Sequence, residues 1–362
     1  MSDRIVFFLG NGAAIAEMDN KIYTSELLAK AIQEFDHDQQ IKNIKKFVKQ
    51  IFAIESFNDI SRIPTFEEVL TLIDVCLQKK EEFSGDWRLD NLTKLRKNMT
   101  YLLYKILDNR LETSKDIHEN FVKKLFGNRG DCNKYSFLTL NYDILLDNPL
   151  IDLRNKPLEL YLDFGIHLRN FDLTAEEKKD PETARKYKWD KPKDNKSVLL
   201  LKLHGSLSWL HCPTCNDIIT TPKEKGVKYI YDPQVRNDNI LKQCAVCGSL
   251  RKPVIIPPTW QKEYVNPNLV RMWLTAERLL QKTNKVFFIG YSLPESDVNV
   301  RYLLKKSLYR KNAPVEIYII NTADLDSDER KRYKRLFGST IKCSQFTAFE
   351  YFVEKLDDFI KR

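Results

Sequence analysis

Six short stretches of this chain are apolar almost throughout: Ile5–Leu9, Tyr135–Leu140, Leu199–Leu203, Val254–Ile256, Val286–Ile289 and Val315–Ile320. Runs of strand length with little polar alternation predict strands, and buried ones at Ile5–Leu9, Leu199–Leu203 and Val286–Ile289. Between the first two the rhythm changes. From Ser25 to about Asn128 apolar residues recur every three or four positions: Leu27, Leu28, Ile32 and Phe35 make one face, and Ile41, Ile44, Phe47, Val48, Ile51 and Phe52 another. Thr65 followed by Glu68 predicts a helix start with a capping box, leading into Val69, Leu70, Leu72, Ile73 and Leu77. Trp87, Leu92, Leu95, Met99, Leu102, Leu103 and Ile106 form a further helical stripe. Later helices are predicted over Trp260–Gln281 with Val270, Trp273, Leu274 and Leu280 inward, after Asp297 with Val300, Leu303, Leu304 and Leu308 inward, and over Tyr351–Ile360.

Strands alternating with helices predict an α/β fold, a Rossmann-like doubly wound parallel sheet. One domain is expected over residues 1–362, carrying a helical insertion at 25–130 and a small module at 206–256. Asp172–Ser197 is dense in charge and reads as a solvated loop.

Composition narrows the class. No apolar run approaches the ~20 residues of a membrane span, and Met1–Gly10 lacks the features of a secretory signal, so a cytoplasmic protein is expected. The net charge of +9 favours polyanionic company, for which a phosphate-bearing small ligand suffices. Of seven cysteines, Cys76, Cys132 and Cys343 stand alone, in keeping with a reducing compartment. The other four form two knuckles, Cys212-Pro-Thr-Cys215 and Cys244-Ala-Val-Cys247. Two such pairs separated by a loop are the spacing of a structural zinc ribbon, although this loop is longer than usual. The competing reading is four free thiols.

The remaining candidate chemistry sits where predicted strands end. Gly10-Asn11-Gly12-Ala13 follows the first strand, and its small residues would let a pyrophosphate approach the backbone. Asn141-Tyr142-Asp143 follows the second strand, His204-Gly205 the third, Gly290-Tyr291-Ser292 the fifth and Asn321 the sixth. In a doubly wound sheet such loops gather along one edge and describe a dinucleotide crevice beside a histidine.

This order resembles the sirtuin family, with Gly10–Ala13, Leu140-Asn141-Tyr142-Asp143, His204-Gly205, the four cysteines, Gly290-Tyr291-Ser292 and Asn321 in the family's sequence of motifs. Leu140–Asp143, Leu203–Ser206 and Gly290–Leu293 are closest to the variants found in bacterial sirtuin-like proteins of antiphage defence. The chain departs from the family at Asn11 and Ala14. The resemblance implies an NAD+ hydrolase releasing nicotinamide and ADP-ribose, gated by homo-oligomerisation or an activating protein partner. It implies Asn141 and His204 as catalytic residues. It also implies Gly10, Asn11, Gly12, Ala13, Asp143, Gly290, Ser292 and Asn321 at NAD+, and Cys212, Cys215, Cys244 and Cys247 at a structural Zn2+. Asp143 would hold the nicotinamide carboxamide, Asn141 the ribose or attacking water, and Ser292 with Asn321 the adenosine ribose. A protein-lysine deacylase using the same pocket is the first alternative. A zinc-ribbon nucleic-acid-binding protein with a vestigial pocket is the second, disfavoured because aromatic residues do not interleave with the basic ones.

Overall fold

Every long apolar run becomes a strand. The computed structural model describes residues 4–17, 27–83, 85–110, 115–127, 132–154, 161–168, 197–220, 242–256, 266–309, 315–322, 327–338 and 348–361. Among these the strands are β1 (Ile5–Leu9), β2 (Tyr135–Thr139), β3 (Tyr161–Asp163), β4 (Ser197–Lys202), β5 (Gly205–His211), β6 (Ile218–Thr220), β7 (Lys252–Ile255), β8 (Lys285–Ile289) and β9 (Glu316–Ile320). The helices are α1 (Asn11–Glu17), α2 (Leu27–Glu34), α3 (Gln39–Ile51), α4 (Phe66–Lys79), α5 (Leu89–Arg110), α6 (Ile117–Gly127), α7 (Asp147–Arg154), α8 (Pro267–Gln281), α9 (Val298–Leu308), α10 (Asp328–Phe337), α11 (Phe349–Glu354) and α12 (Leu356–Lys361). None is long and apolar enough to cross a membrane among the described residues.

Two compact units divide the chain: Met1–Glu17 with Ser114–Ile255 and Tyr264–Arg362, and Met18–Thr113 with Ile256–Glu263. The first holds a six-stranded sheet in the order β3-β4-β2-β1-β8-β9, parallel throughout. Its centre is an aromatic row in register, Phe137–Phe7–Phe287–Tyr318, with ring centroids 5.6, 5.4 and 4.8 Å apart. On that face lie Phe121 of α6 and Phe352 of α11. On the other, Phe288 meets Tyr333 of α10. Helices thus cover both faces, as unbroken apolar strands require. A three-stranded antiparallel sheet, β6-β5-β7, belongs to the same unit. Gly205 opens β5 at φ +88°, and a Cβ there would lie 1.9 Å from the Val254 carbonyl oxygen, so only glycine permits this pairing.

The second unit is built on α2–α5. Phe47 of α3 meets the rings of Phe52, Phe83 and Trp87, and the Trp87 indole donates to Gln50. Thr65 and Glu68 close the expected capping box at α4.

Three helical expectations need correction. The inward face of α8 is Leu269, Met272, Ala276, Leu279 and Leu280, whereas Val270 and Leu274 are 45% and 49% exposed. The buried stripe keeps a 3–4 residue spacing but begins one position earlier than predicted. The same helix starts at Pro267 with Asn266 as its cap; Trp260, like the Pro257-Pro258 pair, lies outside the described residues. The final helix is two, α11 and α12, interrupted at Lys355.

Candidate active site

Lys202, Thr139, Leu9, Ile289 and Ile320 lie side by side in one row across β4, β2, β1, β8 and β9. One residue onward along each strand come Leu203, Leu140, Gly10, Gly290 and Asn321, and after those His204, Asn141, Asn11, Tyr291 and Thr322. The sequence-predicted residues Gly10, Asn11, Asn141, His204, Gly290 and Asn321 therefore leave the sheet at one edge. At ~4.8 Å per strand that edge runs roughly 19 Å from β4 to β9. From β1 the chain order proceeds one way to β2 and β4 and the other way to β8 and β9. Such a reversal is where open α/β sheets take their ligands, beyond the carboxyl ends of the strands.

On the β4–β2 side the Asn141 side-chain amide donates to the Gly10 carbonyl at 3.0 Å, and its backbone N–H donates to Thr139 Oγ1 at 3.1 Å. These bonds fix the side chain with its nitrogen toward β1. The Tyr142 carbonyl accepts from Leu207 N–H at 2.8 Å. Asp143 Oδ1 accepts from Leu145 N–H at 3.1 Å, tightening the turn. Lys202 Nζ donates to the Asp143 carbonyl and, at 2.7 Å, to Asp147 Oδ2. Asp143, Asp147, Lys202 and His204 are all buried. Burial pushes the Asp147 carboxyl up, against the pull of the Lys202 ammonium. The His204 ring lies 6.3 Å from that of Tyr142 and 6.4 Å from that of Trp273, whose indole donates to the Leu203 carbonyl at 3.2 Å.

On the β1–β8 side the glycines serve the protein's own backbone. A Cβ on Gly10 would lie 2.6 Å from Tyr291 Cα, and one on Gly12 2.7 Å from Gly290 Cα. Gly290 has φ +60°, and its Cβ would fall 2.1 Å from the Ala13 nitrogen. The Gly12 amide donates to the Gly290 carbonyl at 2.7 Å and the Ala13 amide to the Gly10 carbonyl at 3.0 Å. Close approach is thus required between the two strand-end turns themselves, and these two amides have protein partners. Tyr291 turns inward, its hydroxyl 3.0 Å from Asp297 Oδ2, while burial pushes its phenol up. Ser292 is exposed, and its carbonyl accepts two bonds from Arg332 at 3.1 and 2.9 Å. Asn321 donates to Glu329 Oε1 at 2.6 Å, and its oxygen accepts from Thr322 N–H at 2.8 Å. Burial holds the Glu329 carboxyl above its ordinary range, with Asn321 opposing.

The cysteines come together as two copies of one turn. Cys212 N–H donates to the Asp217 carbonyl and Asn216 N–H to the Cys212 carbonyl, at 2.8 and 2.9 Å. Cys244, Gly248 and Ser249 repeat this at 2.8 Å for both bonds. Asn216 and Gly248 occupy the same left-handed position, at φ 57° and 74°. All four Sγ atoms lie within 4.8 Å of one another, with Cys212 to Cys247 at 3.3 Å and Cys215 to Cys244 at 3.6 Å. Tetrahedral Zn–S bonds of about 2.3 Å put sulfurs about 3.8 Å apart. The donor set and spacing fit one zinc ion held by Cys212, Cys215, Cys244 and Cys247.

Sequence reasoning missed Lys202, Asp147, Trp273 and Glu329 as parts of this edge. One signal was present: a lysine inside the otherwise apolar Leu199–Leu203 run must be buried with a partner.

The family described as the SIR2-like domain matches residues 135–341, more than half of the chain. No match was found among curated proteins. Solved structures that match include one from "Structural Basis for the Mechanism and Regulation of Sir2 Enzymes", at 13% identity and TM-score 0.38, covering 100% of this chain and 95% of that one. Another, described as "Sir2-p53 peptide-NAD+", is 12% identical with TM-score 0.42, covering 99% and 93%. At these scores the likenesses carry nothing about individual residues. The family match spans β2, the histidine strand, both cysteine knuckles and the Gly290 and Asn321 turns, and by it the chain belongs to the SIR2-like domain family.

Proposed function

We propose that this sheet edge binds NAD+ and hydrolyses it to nicotinamide and ADP-ribose. The observation that carries the reading is that His204 and Asn141 follow adjacent strands, each two residues past the same cross-strand row, with the Asn141 amide bonded to Gly10 at the end of β1, where the chain order reverses. Nicotinamide leaves a pyridinium as a neutral molecule, so cleavage of the glycosidic bond develops positive charge on the ribose. That step demands positioning and electrostatic support more than a strong nucleophile. Asn141, its nitrogen fixed on Gly10, would offer its oxygen to a ribose hydroxyl or the incoming water. His204 would accept the proton given up by that water or hydroxyl. Asp143 would hold the nicotinamide carboxamide, and Ser292 with Asn321 the adenosine ribose. Gly10, Asn11, Gly12, Ala13 and Gly290 would form the floor beneath the pyrophosphate, the Gly12 and Ala13 amides being bonded within the protein. The zinc ion would be structural, closing the two knuckles.

Hydrolysis is preferred to protein deacylation because, among the described residues, β7 is an edge strand with proline inside it. An acylated peptide joining that edge would need main-chain donors, and Pro253 in β7 has none. Pro257 and Pro258, outside the described residues, extend the deficit in sequence. Each missing hydrogen bond is worth about 0.5–1.5 kcal/mol. In the cell we assign the protein as a gated effector of antiphage defence, restrained by assembly or a protein partner, since unchecked hydrolysis would drain NAD+.

The test is product analysis with NAD+ and a panel of acyl-lysine peptides. Equal amounts of nicotinamide and free ADP-ribose, at a rate indifferent to peptide, are expected. Peptide-dependent turnover yielding O-acyl-ADP-ribose would assign the protein to the deacylases.

A further inference from the structure

The buried pair Lys202–Asp147 has no role in the steps above, yet it lies beneath them. Lys202 is 1% exposed and Asp147 3% exposed, and two charges so enclosed are costly unless paired and hydrogen-bonded, as these are. Lys202 ends β4, two residues before His204, and stands in register with Thr139, two residues before Asn141. From there its ammonium bonds the Asp143 carbonyl and the Asp147 carboxylate. The Asn141–Asp147 turn is thereby held at three points: Asn141 on Gly10, Tyr142 on Leu207 and Asp143 on Lys202. Asn141 reaches β1 and Leu207 belongs to β5. Of these three bonds, the one from Lys202 comes from β4, the strand that delivers His204.

We propose that Lys202, oriented by Asp147, is a positioning residue that locks the Asn141–Asp143 turn against the histidine strand, and so governs bond cleavage more than overall NAD+ affinity, to which the pyrophosphate and adenosine ribose contribute at the other strand ends. The proposal rests on the NAD+ hydrolysis reading for its catalytic consequence, though not for the locking itself. A purely structural pair would behave differently. Replacing a buried ion pair by apolar side chains of similar volume is often neutral or stabilising, so a structural role would survive in the double variant Lys202→Met/Asp147→Leu. A lock would not, because methionine cannot bond the Asp143 carbonyl.

The experiment takes the full chain and compares the parent with this double variant and with Lys202→Arg. The single Lys202→Met change is avoided because it strands the Asp147 carboxylate. Thermal melting establishes that each variant folds. Amide exchange over Tyr142–Asp147 is expected to quicken at least about tenfold in the double variant while β4 keeps its protection. With NAD+, kcat is expected to fall about a hundredfold at a KM within about threefold of the parent, and Lys202→Arg, which keeps a cationic donor, to recover part of it. Parent-like exchange in the double variant overturns the lock whether or not the parent cleaves NAD+. Faster exchange with parent-like kcat overturns its role in cleavage. A parent that releases no nicotinamide defeats the hydrolysis reading while the exchange result still decides the lock.

Discussion

The cysteine module and the sheet edge solve the same problem, bringing distant groups to one point, by opposite means. In the module each turn is local: a few consecutive backbone positions carry both cysteines and the bonds that shape them, and the same turn is used twice. At the sheet edge no turn has that self-sufficiency. Asn141 needs Gly10, Gly12 needs Gly290, and Asp143 needs Lys202. A local turn plus one ion tolerates change around it. An edge assembled from strand register and backbone-on-backbone contact does not.

The largest effect should come from the ion. One zinc per chain is expected, bound by Cys212, Cys215, Cys244 and Cys247 with no part for Cys76, Cys132 or Cys343. Structural zinc contributes about 10 kcal/mol or more to the folding of small modules, so chelation or Cys215→Ser should unfold β5–β7 first. Metal analysis finding no stoichiometric zinc, or a Cys215→Ser chain with unchanged metal content, would break the comparison on that side.

Two glycines of the same hand sharpen it further. Gly248 sits at φ +74° with nothing within 4 Å of the position a Cβ would take, whereas Gly290 at φ +60° would drive a Cβ to 2.1 Å from the Ala13 nitrogen. Gly248→Ala should cost about 1 kcal/mol, the penalty of the left-handed conformation alone. Gly290→Ala should cost upwards of about 3 kcal/mol, because backbone must move as well. Denaturant midpoints giving equal losses would remove the distinction between local turn and close-packed edge.

The smallest effect concerns Glu329. Its carboxyl is held above the ordinary 4.5 by burial, so between 4.5 and its folded value the folded chain binds more protons than the unfolded one. Stability of the parent should therefore fall as pH rises through that window. Glu329→Gln, which can still accept from Asn321, lacks this effect and should gain on the parent as pH rises above 4.5. Melting curves in which the parent gains on the variant over that range would reverse the sign.

Much of this was legible in the residues. Each long apolar run carries its own boundary, so six strands and the polar residues that follow them are legible one segment at a time, and the knuckles declare themselves by spacing, whereas β3, β5 and β6 have no such run to announce them. What could not be read is what register decides. That Lys202 meets Asp147, that Asn321 meets Glu329 and that Trp273 lies near His204 depend on which strands adjoin and how helices cross them. The inward face of α8 is not legible because Val270, Leu274 and their buried neighbours Leu269 and Met272 are equally apolar, so periodicity alone leaves two faces open. The glycines of Gly10–Gly12 were predicted for the sake of a ligand; their tightest neighbour is Gly290–Tyr291, a turn far away in the chain.

The central claim is that the row of strand ends forms a single NAD+-cleaving site. It is tested most directly by nicotinamide release from NAD+, measured for the parent, His204→Ala and Asn141→Ala under conditions where the parent turns over, with zinc content and melting temperature checked on each. Both variants are expected to lose at least about a hundredfold in rate while keeping their zinc and their fold. Either variant releasing nicotinamide at close to the parent rate would contradict the account.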